Sequence, residues 1–247
     1  MVNDYKIVSL RLAEKYIYYK LFKDNKFYFM KKVKKVSPQT LSFFLNEINK
    51  YKLVNNLNVL PKMIEENITE AYMICEYLEC LTIKEIMNLS YNKKIEVLLK
   101  LIDKVSLLHD NGIIHCDLKL SNIIITRDFD VYLLDLDHSC DKGRIAMYGT
   151  LRYCSLEQLN GKAVTYQFDI YALGIIIFEL LLDKKVFNRL SREAVINAKN
   201  NNTILLDEDL NKNIRLKEII DKSTNSDLNK RYRNILDLKE DLLKIKK

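Results

Sequence analysis

The run His115-Cys116-Asp117-Leu118-Lys119-Leu120-Ser121-Asn122, followed thirteen residues on by Asp135-Leu136-Asp137, decides the reading of this chain. Ile123-Ile124-Ile125 has the length and branching of a short buried strand. Thr126 to Asp130 is polar and turn-like, and Val131-Tyr132-Leu133-Leu134 reads as the returning strand. The spacing predicts a hairpin with Asp117, Lys119 and Asn122 at its entrance and Asp135 at its exit. A carboxylate, an ammonium, an amide and a second carboxylate then converge at one end. Phosphoryl transfer needs such a set: a group to accept a hydroxyl proton, oxygen ligands for a metal, and positive charge near the moving phosphate.

Upstream of this run the chain reads as strands with one helix. Tyr16-Ile17-Tyr18-Tyr19 and Phe27-Tyr28-Phe29-Met30 are aromatic-rich and strand-like, with Lys23-Asp24-Asn25-Lys26 as the turn between them. Ser37 and Pro38 suit the cap and first position of a helix, whose buried face carries Leu41, Phe44, Leu45 and Ile48. Ala71 to Cys75 is another short strand. From about residue 80 the pattern turns helical. Thr82-Ile83-Lys84-Glu85 is a capping box. Ile95, Leu98, Leu99, Ile102, Val105 and Leu108 form one stripe of a long helix that ends near Gly112. Helices are expected downstream at about 167–182, 191–199, 214–223 and 233–246.

The 247 residues suit one globular unit with up to two lobes, and 48% apolar with 30% charged residues is ordinary for a soluble protein. No apolar run reaches the roughly 18 residues that a membrane span needs, and the N-terminus has no signal-peptide pattern. A cytoplasmic location without membrane contact follows as the default. The five cysteines form no CxxC pair and are read as reduced thiols. The net charge of +7 is spread along the chain, so it reads as solvated surface and no nucleic-acid partner is expected.

His-x-Asp-x-x-x-x-Asn followed by an Asp-centred triplet resembles the catalytic loop and metal-binding segment of eukaryotic-type (Hanks-type) Ser/Thr protein kinases. Other segments resemble the same family in order. Lys31 ends a strand, and Glu47 lies sixteen residues on, inside the capped helix. The resemblance implies that they form an ion pair in which Lys31 holds ATP phosphates. Ile74-Cys75-Glu76-Tyr77-Leu78 is similar to the family's adenine-lining connector, which implies Cys75 as gatekeeper and the backbone of Glu76 and Leu78 against adenine. Gly149 to Glu157 resembles the segment that closes the activation loop, with Leu156 in place of proline. Thr150 with Lys119 is more similar to the Ser/Thr than to the Tyr branch. Asp169 begins a helix that would support the catalytic loop, and Arg231 would pair with Glu157.

The resemblance implies an α+β, bilobal fold: a small antiparallel-sheet lobe with one helix, about 1–76, a connector at 76–80, and a larger helical lobe, about 81–247, in one kinase domain. It implies transfer of the γ-phosphate of ATP to a Ser/Thr hydroxyl of a protein substrate. Asp117 would orient the hydroxyl, Lys119 would neutralise the phosphate, and Asn122 and Asp135 would hold Mg2+. Alternatives are a pseudokinase that binds nucleotide or scaffolds, and a small-molecule kinase of the aminoglycoside or choline type. Three departures stand out. No glycine precedes Gly112, so Ser9 to Lys15 fills the place of the glycine-rich loop, with Arg11 or Lys15 as substitutes for its phosphate contacts. Phe29 stands where the family has a small residue on adenine. Cys116 replaces an arginine that pairs with loop phosphate, which implies activity without phosphorylation at Ser139, Tyr148 or Thr150. Asp137 is left open between the metal site and solvent.

Overall fold

The computed structural model describes residues 4–145, 149–202, 210 and 213–246. Its N-terminal part is a five-stranded antiparallel sheet in the order β1 (Lys6–Leu12), β2 (Tyr16–Lys23), β3 (Lys26–Val33), β5 (Tyr72–Glu76), β4 (Met63–Asn67). The β2–β3 turn is Asp24-Asn25, both at positive φ (47° and 59°). That geometry matches the twist of the flanking strands and is tolerated best by Asn, Asp and Gly. It sets Tyr18 opposite Lys31 and Tyr19 opposite Met30. The β3–β5 pairing sets Lys31 opposite Met73 and Phe29 opposite Cys75.

One helix, α1 (Pro38–Val54), packs on this sheet. Its start is a capping box: the Thr40 backbone N–H donates to Ser37 Oγ at 3.2 Å, and the Ser37 N–H donates to Thr40 Oγ1 at 2.9 Å. Phe44, Glu47, Ile48, Tyr51 and Val54 are buried along one face. The helical period therefore carries a carboxylate into the interior beside apolar neighbours.

The C-terminal part is helical. It holds α2 (Ile83–Met87), α3 (Tyr91–Asp110), α4 (Leu156–Leu159), α5 (Gln167–Leu182), α6 (Arg192–Asn200), α7 (Ile214–Ser223) and α8 (Ile235–Leu243). The four expected downstream helices fall on α5 to α8 within two residues at most ends, with α8 three residues shorter at its C-terminus. Two short ribbons complete the fold. β7 (Ile123–Ile125) pairs with β8 (Val131–Leu133) as the expected hairpin, and β6 (Ile113–Ile114) pairs with β9 (Cys140–Asp141). Both families of elements share one core, giving a small sheet lobe and a larger helical lobe. Among the described residues no helix is long and apolar enough to cross a membrane.

Helix α5 is apolar all round because it is the centre of the larger lobe: Phe168 to Leu181 are all buried. At Gly174 it touches the end of α7, where an added Cβ would lie 2.6 Å from Ser223 Cβ and 2.8 Å from Thr224 Cγ2. Alanine favours a helix over glycine by about 1 kcal/mol, but overpacking costs roughly 1–3 kcal/mol. Ser223 Cβ is bonded to the backbone, and the Thr224 side chain is held by its hydroxyl's bond to the Ile220 carbonyl, so neither gives way freely. Gly174→Ala is expected to destabilise the fold by a net of up to roughly 2 kcal/mol, read from the urea midpoint.

Candidate active site

A cavity of about 580 Å3 opens between the lobes, within the range of small-ligand pockets. Arg11 of β1 and the stacked rings of Tyr18 and Phe29 (centroids 5.6 Å apart) line it from the sheet side. Cys75 and Tyr77 line it at the connector, and Asn122, Leu134 and Asp135 line it from the catalytic hairpin. Glu76 and Leu78 flank Tyr77, but their side chains are not part of the wall. The Glu76 carboxylate instead accepts from the Lys62 backbone N–H at 2.7 Å.

Lys31 stands on β3 at the deep end of this cavity, almost fully buried. Its Nζ donates to Glu47 Oε2 at 2.7 Å and to Asp135 Oδ1 at 2.6 Å. It also lies 4.0 Å from the Tyr16 ring centroid. Burial works to deprotonate Lys31, but the two carboxylates outweigh it and hold its pKa well above the usual lysine value. Burial pushes the Glu47 carboxyl up to about 7, against the pull of Lys31. Asp135 is also pushed up by burial, but Lys31 reverses this and keeps it below the usual carboxylate range. The expected Lys31–Glu47 contact is therefore present, and Lys31 further ties the sheet lobe to the hairpin exit.

Asp117 collects donors on both carboxylate oxygens. The backbone N–H and the hydroxyl of Thr150 each donate to Oδ1 at 2.8 Å, and Lys119 Nζ donates to Oδ2 at 2.5 Å. Lys119 also donates to Thr150 Oγ1 at 3.0 Å. Asn122 Nδ2 donates to the Asp117 carbonyl at 3.0 Å, so the Asn122 amide oxygen points the other way. The entrance and exit of the hairpin thus bring Asp117, Lys119, Asn122 and Asp135 together at one end, as the spacing predicts.

The loop is held from beneath by Asp169, at the first turn of α5. Its carboxylate accepts from the backbone N–H of His115 (2.8 Å) and Cys116 (3.0 Å), and contacts His109 Nε2 at 2.9 Å. Burial alone would raise this carboxyl, but His109 and those N–H groups overcome it and hold Asp169 below the usual carboxylate range. Cys116 takes a positive φ of 63°, as does Asp135 at 67°. These unusual backbone conformations lie on either side of the hairpin and are held by surrounding bonds. His115 is fully buried and contacts the Leu134 carbonyl at 3.0 Å, a structural position beneath the loop.

Asp137 does not face solvent, and it is not part of the cavity wall. It is 4% exposed and accepts from the Tyr16 hydroxyl at 3.2 Å, with Lys15 Nζ 4.0 Å away. Lys15 is thereby drawn to Asp137, His138 and the Phe43 ring rather than lining the cavity. Ser139 is buried and donates to the Leu136 carbonyl, and Thr150 bonds Asp117, so both hydroxyls have structural partners. Tyr148 lies outside the described residues. Three further supports gave no sequence signal: Tyr16, His109, and Asn46, whose amide donates to the carbonyls of Leu136, Asp137 and Ser139.

Among the described residues, no three His, Cys, Asp or Glu side chains converge as a closed metal cage. The site instead offers two hard oxygens, the Asn122 amide and the Asp135 carboxylate. A hard divalent cation suits that set, completing its coordination with waters and substrate phosphate oxygens.

Residues 17–244 match the protein kinase domain model. A protein of Clostridium perfringens, named a probable serine/threonine-protein kinase, is 31% identical over 78% of this chain and 30% of its own length. The probable serine/threonine-protein kinase PknB of Lactococcus lactis subsp. lactis is 28% identical over 70% of this chain and 30% of its own. The serine/threonine-protein kinase PknB of Mycobacterium tuberculosis is 30% identical over 47% of this chain and 20% of its own. The chain thus spans less than a third of the length of these relatives.

Proposed function

This chain belongs to the protein kinase domain family, and from that membership we propose that it is an ATP- and Mg2+-dependent protein kinase that phosphorylates Ser or Thr hydroxyls. The observation that carries the reading is the meeting of Lys31, Lys119, Asn122 and Asp135 at one interlobe cavity, with Asp117 bonded to Lys119 and Asn122 beside it. The unit is one domain of two lobes, about 1–76 and 81–247, joined at 76–80. A reducing, cytoplasmic setting is part of the same reading, supported by five cysteines that are all free thiols.

Lys31, fixed by Glu47, binds the α- and β-phosphates. The adenine lies by Cys75, meeting the backbone of Glu76 and Leu78, with Phe29 and Tyr18 above it. Asp117 accepts a hydrogen bond from the acceptor hydroxyl and aims its oxygen at the γ-phosphate. This is mainly a positioning role, with the proton taken late. Lys119 offsets negative charge on the transferring group. Asn122 and Asp135 would hold magnesium, which would supply positive charge for the phosphates. The Thr150 hydroxyl between Asp117 and Lys119 supports a Ser/Thr acceptor.

Arg11 lines the cavity where the glycine-rich backbone would stand. It supplies a side-chain cation in place of backbone N–H groups. The first test is therefore nucleotide binding. At about 100 times its dissociation constant, Mg-ATP should stabilise the fold by roughly 2.7 kcal/mol. For a chain of this size that is a rise of about 5–10 °C in the thermal midpoint. Lys31→Met should lose the rise. A wild-type midpoint that ignores saturating Mg-ATP would sink the proposal.

A further inference from the structure

Two of the five cysteines meet at the foot of the catalytic loop. The β6–β9 ribbon sets Ile114 opposite Cys140, and Cys116 lies two residues past Ile114. Cys116 and Cys140 pack in one apolar cluster with Ile114, Val164 and Phe168; the Cys116 thiol donates to the Ile114 carbonyl at 3.5 Å and the Cys140 thiol to the His138 carbonyl at 3.6 Å. Cys116 is buried, while Cys140 is half-buried on the activation-segment side. The chain between them runs through the whole β7–β8 hairpin. A covalent link here would close a ring that contains Asp117, Lys119, Asn122 and Asp135.

We propose that Cys116 and Cys140 form a reversible disulfide that staples the catalytic hairpin shut in response to peroxide. Cys140 is the more exposed of the two, and the neighbouring Cys116 lowers its thiol below the usual range against burial, so Cys140 is the nucleophile. Its thiolate attacks hydrogen peroxide: the O–O bond breaks, Cys140 becomes a sulfenic acid, and the departing hydroxide takes a proton to become water. Cys116 Sγ then attacks Cys140 Sγ and displaces the hydroxyl, which leaves as water with the Cys116 proton. Two thiols are oxidised by two electrons, and one peroxide is reduced to two waters. The ribbon register and the shared cluster already bring the two cysteines side by side, and a dithiol reductant reverses the link. A transient, signalling disulfide is also the kind that a reducing compartment permits.

Cys116 stands where the resembling family places an arginine that grips loop phosphate. A covalent tie between the same two segments replaces that ionic one. The site is independent of the proposed activity, and its test reads chemistry rather than phosphate transfer.

The full chain is treated with hydrogen peroxide, alkylated, and digested with trypsin. Cleavage after Lys104, Lys119, Arg127 and Lys142 leaves Cys116 in peptide 105–119 and Cys140 in peptide 128–142, each with one cysteine. The expected product is the linked pair of peptides, two hydrogens lighter than their sum and separated by dithiothreitol. The oxidised protein should also melt about 5–10 °C higher than the reduced one. Cys140→Ser, a half-buried and conservative change, should remove both signals. If Cys116 is still fully alkylated after oxidation, the proposal is wrong. It is equally wrong if Cys140→Ser melts with the same oxidation-dependent rise.

Discussion

Asp117→Asn is expected to lower phosphate transfer by roughly 10²–10⁴-fold, the range for losing a positioned acid–base group. The structure gives two reasons. The carboxylate can accept on both oxygens, and here it does: Thr150 donates twice to Oδ1, and Lys119 donates to Oδ2. An asparagine must turn an NH2 toward one of these donors, so one of the contacts becomes donor against donor. The substrate hydroxyl also loses the anionic acceptor that orients it, and Lys119 loses the counter-charge that aims its ammonium. Asp117 is a loop residue outside the apolar core, so the thermal midpoint should change far less than the rate. Steady-state transfer and melting of the same preparation check both halves of this result. A variant with near-normal transfer would remove Asp117 from the reaction.

Arg231→Ala carries the largest expected loss of stability, about 3–5 kcal/mol, because it strips one partner from a buried ion pair. The Arg231 guanidinium is completely enclosed. It pairs with Glu157 through both nitrogens, at 2.6 Å and 3.2 Å. It also donates to the carbonyls of Asn225 and Gln167, and lies 5.1 Å from the Tyr171 ring centroid. Alanine leaves Glu157 nearly buried and unpaired, strips the side-chain donors from the Asn225 and Gln167 carbonyls, and leaves a void. Arg231→Lys should rescue little, since an ammonium cannot reproduce the fork. Removing both charges together, with Arg231→Met and Glu157→Leu, should cost less than Arg231→Ala alone. Urea unfolding of the three variants measures these differences. Equal losses for the single and double changes would show that the void, rather than the stranded carboxylate, dominates.

Much of this site was legible because its residues announce themselves locally. The hairpin follows from two apolar runs and a polar turn. Glu47 follows from a capped helix whose period carries it beside Ile48. Asp169 and Arg231 sit in short, ordered segments. What stayed hidden depends on approach between distant parts of the chain. The Lys31–Asp135 bond spans 104 residues and the Tyr16–Asp137 bond 121. No local pattern shows that Tyr16 would enclose Asp137 or that Asn46 would tie three carbonyls. The sequence marks β1 only as the place of the missing glycine-rich loop; Val8 to Leu12 alternate apolar and polar, but all seven strand residues are exposed, so no buried face anchors that pattern. The Cys116–Cys140 contact depends on the β6–β9 ribbon, two residues per strand, too short to carry a strand signal.

The central claim is that the groups gathered at the hairpin move a phosphate from ATP to a hydroxyl. Incubating the purified chain with γ-labelled ATP, Mg2+ and a generic Ser/Thr-containing protein, beside Asp117→Asn and Lys31→Met, tests it most directly. The account predicts label on serine or threonine of the protein with the wild type, and a near-complete loss with either variant. Label transferred equally by all three preparations, or none by a wild type that binds Mg-ATP, would contradict it.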